Sequence, residues 1–131
     1  MTFVDTGAWY ATFVASDVDH PAAVRWYAAY TGQLRTTDYV IDETLTLLRS
    51  RGHEAVALQF GADVFAGKLC SIHYLTRDEI AAAWDVFQRY RDKGWSFTDC
   101  TSKVVIESLG ITQAFAFDQH FRQFGSVAVA P

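Results

Sequence analysis

The feature that most constrains the fold of this chain is its first apolar run, which stops almost at once at a carboxylate. Thr2-Phe3-Val4 precedes Asp5, and small and aromatic residues follow. A strand this short is typical of the buried centre of a parallel sheet. Open parallel sheets bind their ligands at the carboxyl ends of their strands. Because an aspartate at the edge of an apolar core is costly without a partner, Asp5 predicts a site at this edge.

The composition indicates one folded domain over residues 1–131. Half of the residues are hydrophobic and 15% are aromatic, which excludes a disordered chain. No apolar run approaches the roughly 18 residues of a membrane span, and Asp5 interrupts the layout of a signal peptide. The two cysteines, Cys70 and Cys100, are too few for a disulfide framework and lack the spacing of zinc ligands. We therefore expect buried free thiols in a reducing cytoplasm.

The charge balance limits the possible partners. The formal net charge is −4, whereas proteins that bind nucleic acid non-specifically normally carry a basic face. The balance does not exclude a local site at which bound metal ions supply the positive charge.

Strand and helix patterns alternate along the chain. After the first strand, the predicted strands cover 33–37, 68–75, 111–117 and 127–129. The predicted helices cover 22–30, 39–50, 54–65 and 96–109, a further helix follows a capping box at 76–79, and 6–15 fits a short helix or an irregular crossover. The alternation predicts an α/β fold, a three-layer α/β/α sandwich with a central parallel sheet of four to five strands and right-handed crossovers.

Two further patterns refine this prediction. Asp19 and Asp38 stand where N-caps of helices are expected. Trp26, Tyr27 and Tyr30 fall at helical spacing, which predicts a packed core or a subunit interface more than a platform for nucleic-acid bases.

Six carboxylates fall near the carboxyl edge of the predicted sheet. Asp5 and Asp118 each follow an apolar strand, Asp99 lies in the first turn of a helix, and Asp38, Asp42 and Glu43 follow the second strand. The helical wheel separates the last two, because Glu43 borders the apolar arc of its helix and Asp42 points away from it. We interpret Asp42 as a solvated acid and Glu43 as facing the interior.

Two interpretations of the remaining acids stay open. An acid in the first turn of a helix is favoured by the helix dipole, so Asp99 and Asp38, taken singly, fit capping better than chemistry. Grouped carboxylates, however, repel by roughly 4 kcal/mol per pair at ~4 Å and an effective dielectric near 20. No lysine or arginine at corresponding positions in these motifs would neutralise them all. A divalent cation with oxygen ligands, Mg²⁺ or Mn²⁺, is the simpler explanation for the group.

Four short motifs follow one another in order between residues 3 and 121. They are Phe3-Val4-Asp5-Thr6, Thr37-Asp38-Tyr39-Val40-Ile41-Asp42-Glu43-Thr44, Ser96-Phe97-Thr98-Asp99-Cys100 and Ala116-Phe117-Asp118-Gln119-His120-Phe121. Each is a weak signal by itself, but the ordered set is fairly specific. Together they resemble the PIN-domain ribonucleases, most closely the VapC-type toxins of bacterial toxin–antitoxin pairs.

The resemblance implies a parallel sheet in the order 3-2-1-4-5 and Mg²⁺- or Mn²⁺-dependent hydrolysis of RNA phosphodiester bonds. It assigns the metal-binding, catalytic acids as Asp5, Glu43, Asp99 and Asp118. We expect direct metal ligation from Asp5 and Asp99, while Glu43 and Asp118 complete the site or orient water.

The resemblance also implies supporting residues and partners. Thr6 and Thr98 match positions where the family often has a hydroxyl near the site. We expect a cognate antitoxin and a homodimer. The candidates for phosphate contacts are Arg49, Arg51, Lys103 and Arg122, for each of which surface solubility is the competing role. We expect His120 to pack or to lie at the rim of the site.

Other α/β modules fit less well. The chain has no glycine-rich phosphate loop. A receiver would need an aspartate where Leu75-Thr76 stand, and an aspartyl phosphatase would need one at Gly7. A non-catalytic protein- or nucleotide-binding module, with the acids as helix caps, remains the alternative.

Overall fold

The protein forms one five-stranded parallel sheet flanked by helices, in a computed structural model that describes residues 1–131. The strands are β1 (Thr2–Val4), β2 (Leu34–Thr37), β3 (Ser71–His73), β4 (Gln113–Phe115) and β5 (Ala128–Ala130). The helices are α1 (Thr6–Phe13), α2 (His20–Ala29), α3 (Asp38–Ser50), α4 (Glu54–Phe65), α5 (Arg77–Arg89), α6 (Phe97–Leu109) and α7 (His120–Gln123), and a 3₁₀ turn spans Arg91–Lys93.

The first strand is the centre of the sheet, as predicted. The strand order is β3-β2-β1-β4-β5, and β1 pairs in parallel with both β2 and β4. Phe3 and Val4 are fully buried, because neighbouring strands cover both edges of β1 and helices cover its faces. Asp5 therefore leaves the sheet at its most enclosed point.

The helices bury a largely aromatic core against the sheet. Its largest fully buried side chains include Trp9, Phe3, Phe115 and Phe121, and the Trp26 ring stacks on Phe115 with centroids 4.2 Å apart. Full burial of a large apolar side chain contributes about 1.5–3 kcal/mol. This packing holds α1, α2 and α7 against β1 and β4, the strands that precede two of the candidate acids.

Two strands are shorter than predicted. The third strand covers Ser71–His73 rather than 68–75, and it pairs only with the four-residue β2. Leu75 donates its backbone N–H to the Asp38 carboxylate at 2.9 Å instead of extending a strand. The fourth strand covers Gln113–Phe115 rather than 111–117, so Asp118 lies three residues beyond its end.

Of the two predicted caps, Asp38 is wrong, and Asp19 stands at the N-cap position but makes no capping bond. The N-cap of α3 is Thr37, whose hydroxyl accepts the N–H of Val40 at 3.1 Å, and Asp38 is the first residue of the helix. The last residue of the strand thus supplies the cap itself. Asp19 occupies the N-cap position of α2 without a side-chain capping bond, and its own N–H donates to Asp17 at 3.0 Å.

Other expectations are confirmed. The capping box at Thr76 and Glu79 is present, residues 6–13 form a helix, and β5 is an edge strand that pairs only with β4. Cys70 and Cys100 are free thiols, half-buried and buried respectively. None of the helices has the length and apolarity needed to cross a bilayer.

Candidate metal centre

Asp5 lies directly after β1 with its carboxylate committed to no cap. Its backbone N–H donates to the Phe115 carbonyl at 3.1 Å, and its carbonyl accepts from Ala8 and Trp9 to open α1. The side chain makes no capping hydrogen bond and is 4% exposed. The chain therefore buries a carboxylate at the carboxyl edge of the sheet without giving it the usual role of an N-cap.

Glu43 reaches the same place from α3. It is half-buried, while its neighbour Asp42 is exposed, as the helical wheel predicted. The hydroxyls of Thr6 and Thr98 lie near the Glu43 carboxylate and act to lower its pKa. Thr6 is buried beside α3, where its hydroxyl lies 3.3 Å from that of Thr44.

Asp99 caps a helix and still keeps one carboxylate oxygen outside the cap. It forms a capping box with Ser96 at the start of α6, in which each side chain accepts the other's backbone N–H at 3.0 Å. Only Oδ2 takes part in this bond, and the residue is 6% exposed. The cap thus fixes the orientation of the carboxylate and leaves Oδ1 available to a ligand.

Asp118 lies on a turn rather than at a strand end. It is exposed, and its Oδ1 accepts the N–H of His120 at 2.9 Å. This bond holds the turn that leads into α7 and directs the carboxylate toward α6.

His120 belongs to the site, so the prediction that it packs or lies at the rim is incomplete. Its Nδ1 lies 2.8 Å from Asp99 Oδ2 and 3.4 Å from Asp118 Oδ1. The ligand atoms of these three residues lie within 4.8 Å of one another, close enough to share a cation. In the sequence, the only indication was that His120 follows Asp118 by two residues. The turn in the folded chain is what brings both side chains to face α6.

The side chains meet in an open cleft of about 370 Å³. The residues that line it are Asp5, Thr6, Gly7, Glu43, Leu47, Gly94, Ser96, Asp99, Asp118 and His120. The structure thus brings together all four predicted acids and Thr6, while Thr98 lies in the adjoining depression beside Glu43. No lysine or arginine lines the cleft.

The electrostatics of the cleft reflect this one-sided charge. Burial raises the pKa of Asp5 to about 8, and the negative charges of Asp99, Glu43 and Asp118 contribute to the increase. Burial also raises the pKa of Glu43, with smaller contributions from Asp99 and Asp118, although the hydroxyls of Thr6 and Thr98 oppose the change. Both carboxyls are therefore stabilised when they bind a proton or when a cation lies beside them.

The donor set fits a hard divalent cation. Carboxylate oxygens from four separate elements point into one cleft, with an imidazole at its edge, and oxygen-rich sites of this kind suit Mg²⁺, Mn²⁺ or Ca²⁺ better than softer metals. A bound cation would also lower the pKa of the buried Asp5 by replacing its proton. The residues present thus fit a divalent cation.

Three of the four predicted phosphate-contacting cations have partners within the chain. Arg49 pairs with Glu54 at 3.1 Å, Lys103 pairs with Glu107, and the Arg51 guanidinium lies 5.1 Å from the centre of the Tyr10 ring. These contacts within the chain account for the positions of the three side chains, and no contact to RNA is needed to explain them.

Comparison with known proteins identifies the family. The PIN domain family matches residues 2–127. The chain is 36% identical to the 23S rRNA-specific endonuclease VapC20 of Mycobacterium tuberculosis strain H37Rv, across all of this chain and 99% of that protein. It is 33% identical to a VapC ribonuclease of Archaeoglobus fulgidus, across 90% of this chain and 77% of that protein.

The fold agrees with this similarity. The crystal structure of Mycobacterium tuberculosis VapC20, described as a sarcin-ricin loop cleaving toxin, superposes with a TM-score of 0.93 at 33% identity and full coverage of both chains. The sheet order and the sequence similarity agree along the whole chain, and the protein belongs to the PIN-domain family and, within it, to the VapC-type ribonucleases.

Proposed function

We propose that this protein is a metal-dependent endoribonuclease that hydrolyses RNA phosphodiester bonds at the carboxyl edge of its sheet. The observation that carries the proposal is the convergence of Asp5, Glu43, Asp99 and Asp118 in one cleft without a lysine or arginine. The full-length similarity to VapC-type nucleases supports RNA as the substrate class.

Mg²⁺ or Mn²⁺ is the proposed cofactor. In this proposal Asp5 and Asp99 bind the ion directly, since both are nearly buried and each has a carboxylate oxygen with no hydrogen-bonded partner in the chain. Glu43 and Asp118 complete the site or orient the attacking water. When bound, the ion supplies Lewis acidity to the water and to the scissile phosphate.

The chain's own side chains keep this arrangement in place. The hydroxyls of Thr6 and Thr98 lie beside Glu43 and favour its ionised form. His120 donates from Nδ1 to Asp99 Oδ2, so that Asp99 is held from one side by the imidazole and from the other by the Ser96 backbone. Preorganised acids of this kind cost no rearrangement when substrate arrives.

The proposed substrate is structured ribosomal RNA. The support is the 36% identity over the full length to a nuclease named for 23S rRNA. The chain itself is acidic, with a net charge of −4, so recognition cannot rest on a broad basic face. Of the four proposed phosphate contacts, Arg122 is the one with neither an ion pair nor a cation–π contact within the chain, and it is exposed.

The family membership also supports partners that the chain alone does not contain. We propose that residues 1–131 act as a single nuclease domain, in the cytoplasm, under the control of a cognate antitoxin protein. A homodimer is proposed because Trp84 and Phe87 of α5 are exposed and stack with ring centroids 5.9 Å apart. Exposed aromatic pairs of this kind are common at protein interfaces.

The alternative, a non-catalytic module with capping acids, accounts for part of the site only. Asp99 does cap α6, and Asp118 does accept a backbone N–H. Asp5 makes no capping bond although it holds the N-cap position of α1, and Glu43 lies in the interior of α3. Two of the four acids are therefore unexplained by capping.

Cleavage of 23S rRNA, as purified ribosomes, tests the proposal. Wild type should cut in Mg²⁺ or Mn²⁺ and not in EDTA. Asp5→Asn should lower the rate at least about 100-fold, equivalent to about 3 kcal/mol of barrier. The matched control is Asp42→Asn on the exposed face of α3, which should cut at the wild-type rate. Equal rates for wild type and Asp5→Asn would refute the assignment.

A further inference from the structure

The largest cleft of the molecule lies at the opposite edge of the sheet from the acids. It has a volume of about 750 Å³, within the range of small-molecule sites. Leu34 and Ser71, the first residues of β2 and β3, contribute to its wall together with the loops that precede these strands. Since all strands are parallel, this amino edge is separated from the acidic cleft by the length of the strands.

The charge of this cleft is opposite to that of the metal centre. Arg35 and Lys68 line it, and none of its lining residues is acidic. In a chain with 15 acids and 11 lysines and arginines, an acid-free cleft with two cations is a local reversal of the overall charge. The nearby acid on α4, Asp63, accepts a hydrogen bond from Gln59 and lines a different pocket.

Arg35 is positioned for an anion that the chain does not supply. Its Nε donates to the Ser71 hydroxyl at 3.0 Å, which fixes the guanidinium on the surface of β2. The residue is half-buried, yet it takes part in none of the ion pairs of the molecule, and the same is true of Lys68. Partly buried charges are normally paired, and a guanidinium with free terminal nitrogens matches phosphate geometry.

Lys68 lines the same cleft as Arg35, just beyond the end of α4. Gly67 has a φ of +75°, a conformation that glycine adopts without strain. The Lys68 N–H donates to the Asp63 carbonyl at 3.0 Å and closes the helix end. The backbone beside the cleft is therefore fixed, while the ammonium remains exposed to a ligand.

Tyr27 provides the aromatic part of the cleft wall, and Tyr30 fixes its edge. Both line the cleft and are half-buried. The Tyr30 ring stacks on Trp26 with centroids 4.7 Å apart and lies against Gly32, and its hydroxyl is tied to Thr2 and to the Gln33 carbonyl, so it bounds the cleft. The Tyr27 ring is the one that can stack with a planar base.

We propose that this cleft binds a nucleoside phosphate, with the phosphate at Arg35 and Lys68 and the base against Tyr27. The ligand is either a free mononucleotide or a nucleotide of an RNA chain, since both present the same phosphate and base. The site is independent of hydrolysis, because it lies at the other edge of the sheet.

The test follows amide resonances of the metal-free protein in EDTA, so that no ion in the acidic cleft attracts phosphate. AMP should shift the signals of Gly32 and Gly67, which line the cleft, and saturate in the millimolar range or below. The signals of Gly7 and Gly94, which line the acidic cleft, should stay unchanged. Adenosine and inorganic phosphate should each bind more weakly than AMP.

Two cleft variants and a matched control complete the test. Arg35→Gln and Lys68→Ala should each weaken AMP binding at least about tenfold. Lys68 is exposed, so its variant keeps the test valid if Arg35→Gln does not fold. Arg77→Gln, at the exposed first residue of α5, should bind AMP like wild type.

The same titration separates the two sources of the ligand. A short single-stranded RNA that binds much more tightly than AMP, and loses affinity in both cleft variants, would assign the site to RNA. Equal affinity of RNA and AMP would assign it to free nucleotides.

The proposal is overturned if AMP leaves the signals of Gly32 and Gly67 unshifted, if the cleft variants bind AMP like wild type, or if an oligoglutamate peptide binds as well as AMP. Because no cleavage is measured, this outcome is independent of the proposed nuclease activity.

Discussion

In the absence of a cation, Asp5 and Glu43 destabilise the folded state once their carboxyls are ionised, because burial and the neighbouring acids raise the pKa of each. A carboxyl whose pKa is higher when folded than when unfolded binds its proton only in the folded state between the two values, so stability falls as the pH rises through that window. The pKa of Asp5 rises from 3.8 to about 8, and that of Glu43 also rises. The window therefore runs from about pH 4 to pH 8.

The raised pKa values of Asp5 and Glu43 predict that the metal-free protein loses stability as the pH rises. In EDTA, the free energy of unfolding should fall between pH 5 and pH 8 by on the order of 2–4 kcal/mol. Asp5→Asn should remove most of this decrease, because its amide has no proton to lose, and should be more stable than wild type at pH 8. Urea denaturation across the pH range measures both. Asp42→Asn serves as the control and should keep the wild-type profile; a profile of the same slope in Asp5→Asn would contradict the account.

Asp38 provides the contrast between a structural and a functional acid on one helix. Its Oδ1 accepts the N–H of Leu75 at 2.9 Å and joins the start of α3 to the turn before α5. Asp38→Ala should lower the free energy of unfolding by about 1–2 kcal/mol, because this part-buried N–H loses its acceptor. Its cleavage rate in Mg²⁺ should stay within about twofold of wild type.

Glu43→Gln, five residues further along the same helix, should behave in the opposite way. It removes a negative charge from the acidic cleft, so stability without metal should be retained or increased while cleavage is lost. Chemical denaturation and the ribosome assay, run on both variants, separate the two acids. Loss of cleavage in Asp38→Ala without loss of stability would place Asp38 in the site instead.

The elements of the fold were predictable where periodicity and capping agreed. The buried strand before Asp5, the helix from Ser96 to Gly110 and the capping box at Thr76 follow from local chemistry and are present. Strand ends were not predictable, because β3 and β4 stop where their neighbours stop pairing and where tertiary bonds such as that from Leu75 to Asp38 take over.

In the site, too, the features set by local patterns were predictable and those set by tertiary contacts were not. The helical wheel separated Glu43 from Asp42, since a helix has a fixed period. The role of His120 was missed because it depends on a turn after β4 that brings the imidazole within 2.8 Å of Asp99. That contact joins residues 21 positions apart, and no local pattern encodes it.

At the scale of the whole molecule, the protein leaves an aromatic surface on α5 exposed to solvent. Trp84 is 54% exposed and Phe87 is 38% exposed, and the Phe87 ring contacts Phe97 with centroids 6.0 Å apart. Phe97 opens α6, the helix of Asp99.

We expect this surface to form the proposed homodimer. Trp84→Glu should convert a dimer into a monomer in light scattering, because it places a charge in the apolar contact. Leu58→Glu, on the similarly exposed α4, is the matched control and should leave the oligomeric state unchanged. A wild-type protein that is monomeric at high concentration, or a Trp84→Glu variant that remains dimeric, would contradict the assignment.

The acids at the carboxyl edge of the sheet are proposed to hold a divalent cation, and anomalous scattering from crystals soaked in Mn²⁺ would locate that ion. We expect a peak within about 2.0–2.4 Å of carboxylate oxygens of Asp5 and Asp99, present in wild type and Asp42→Asn and absent in Asp5→Asn. A fully occupied peak elsewhere, with none in this cleft, would rule out the proposed site.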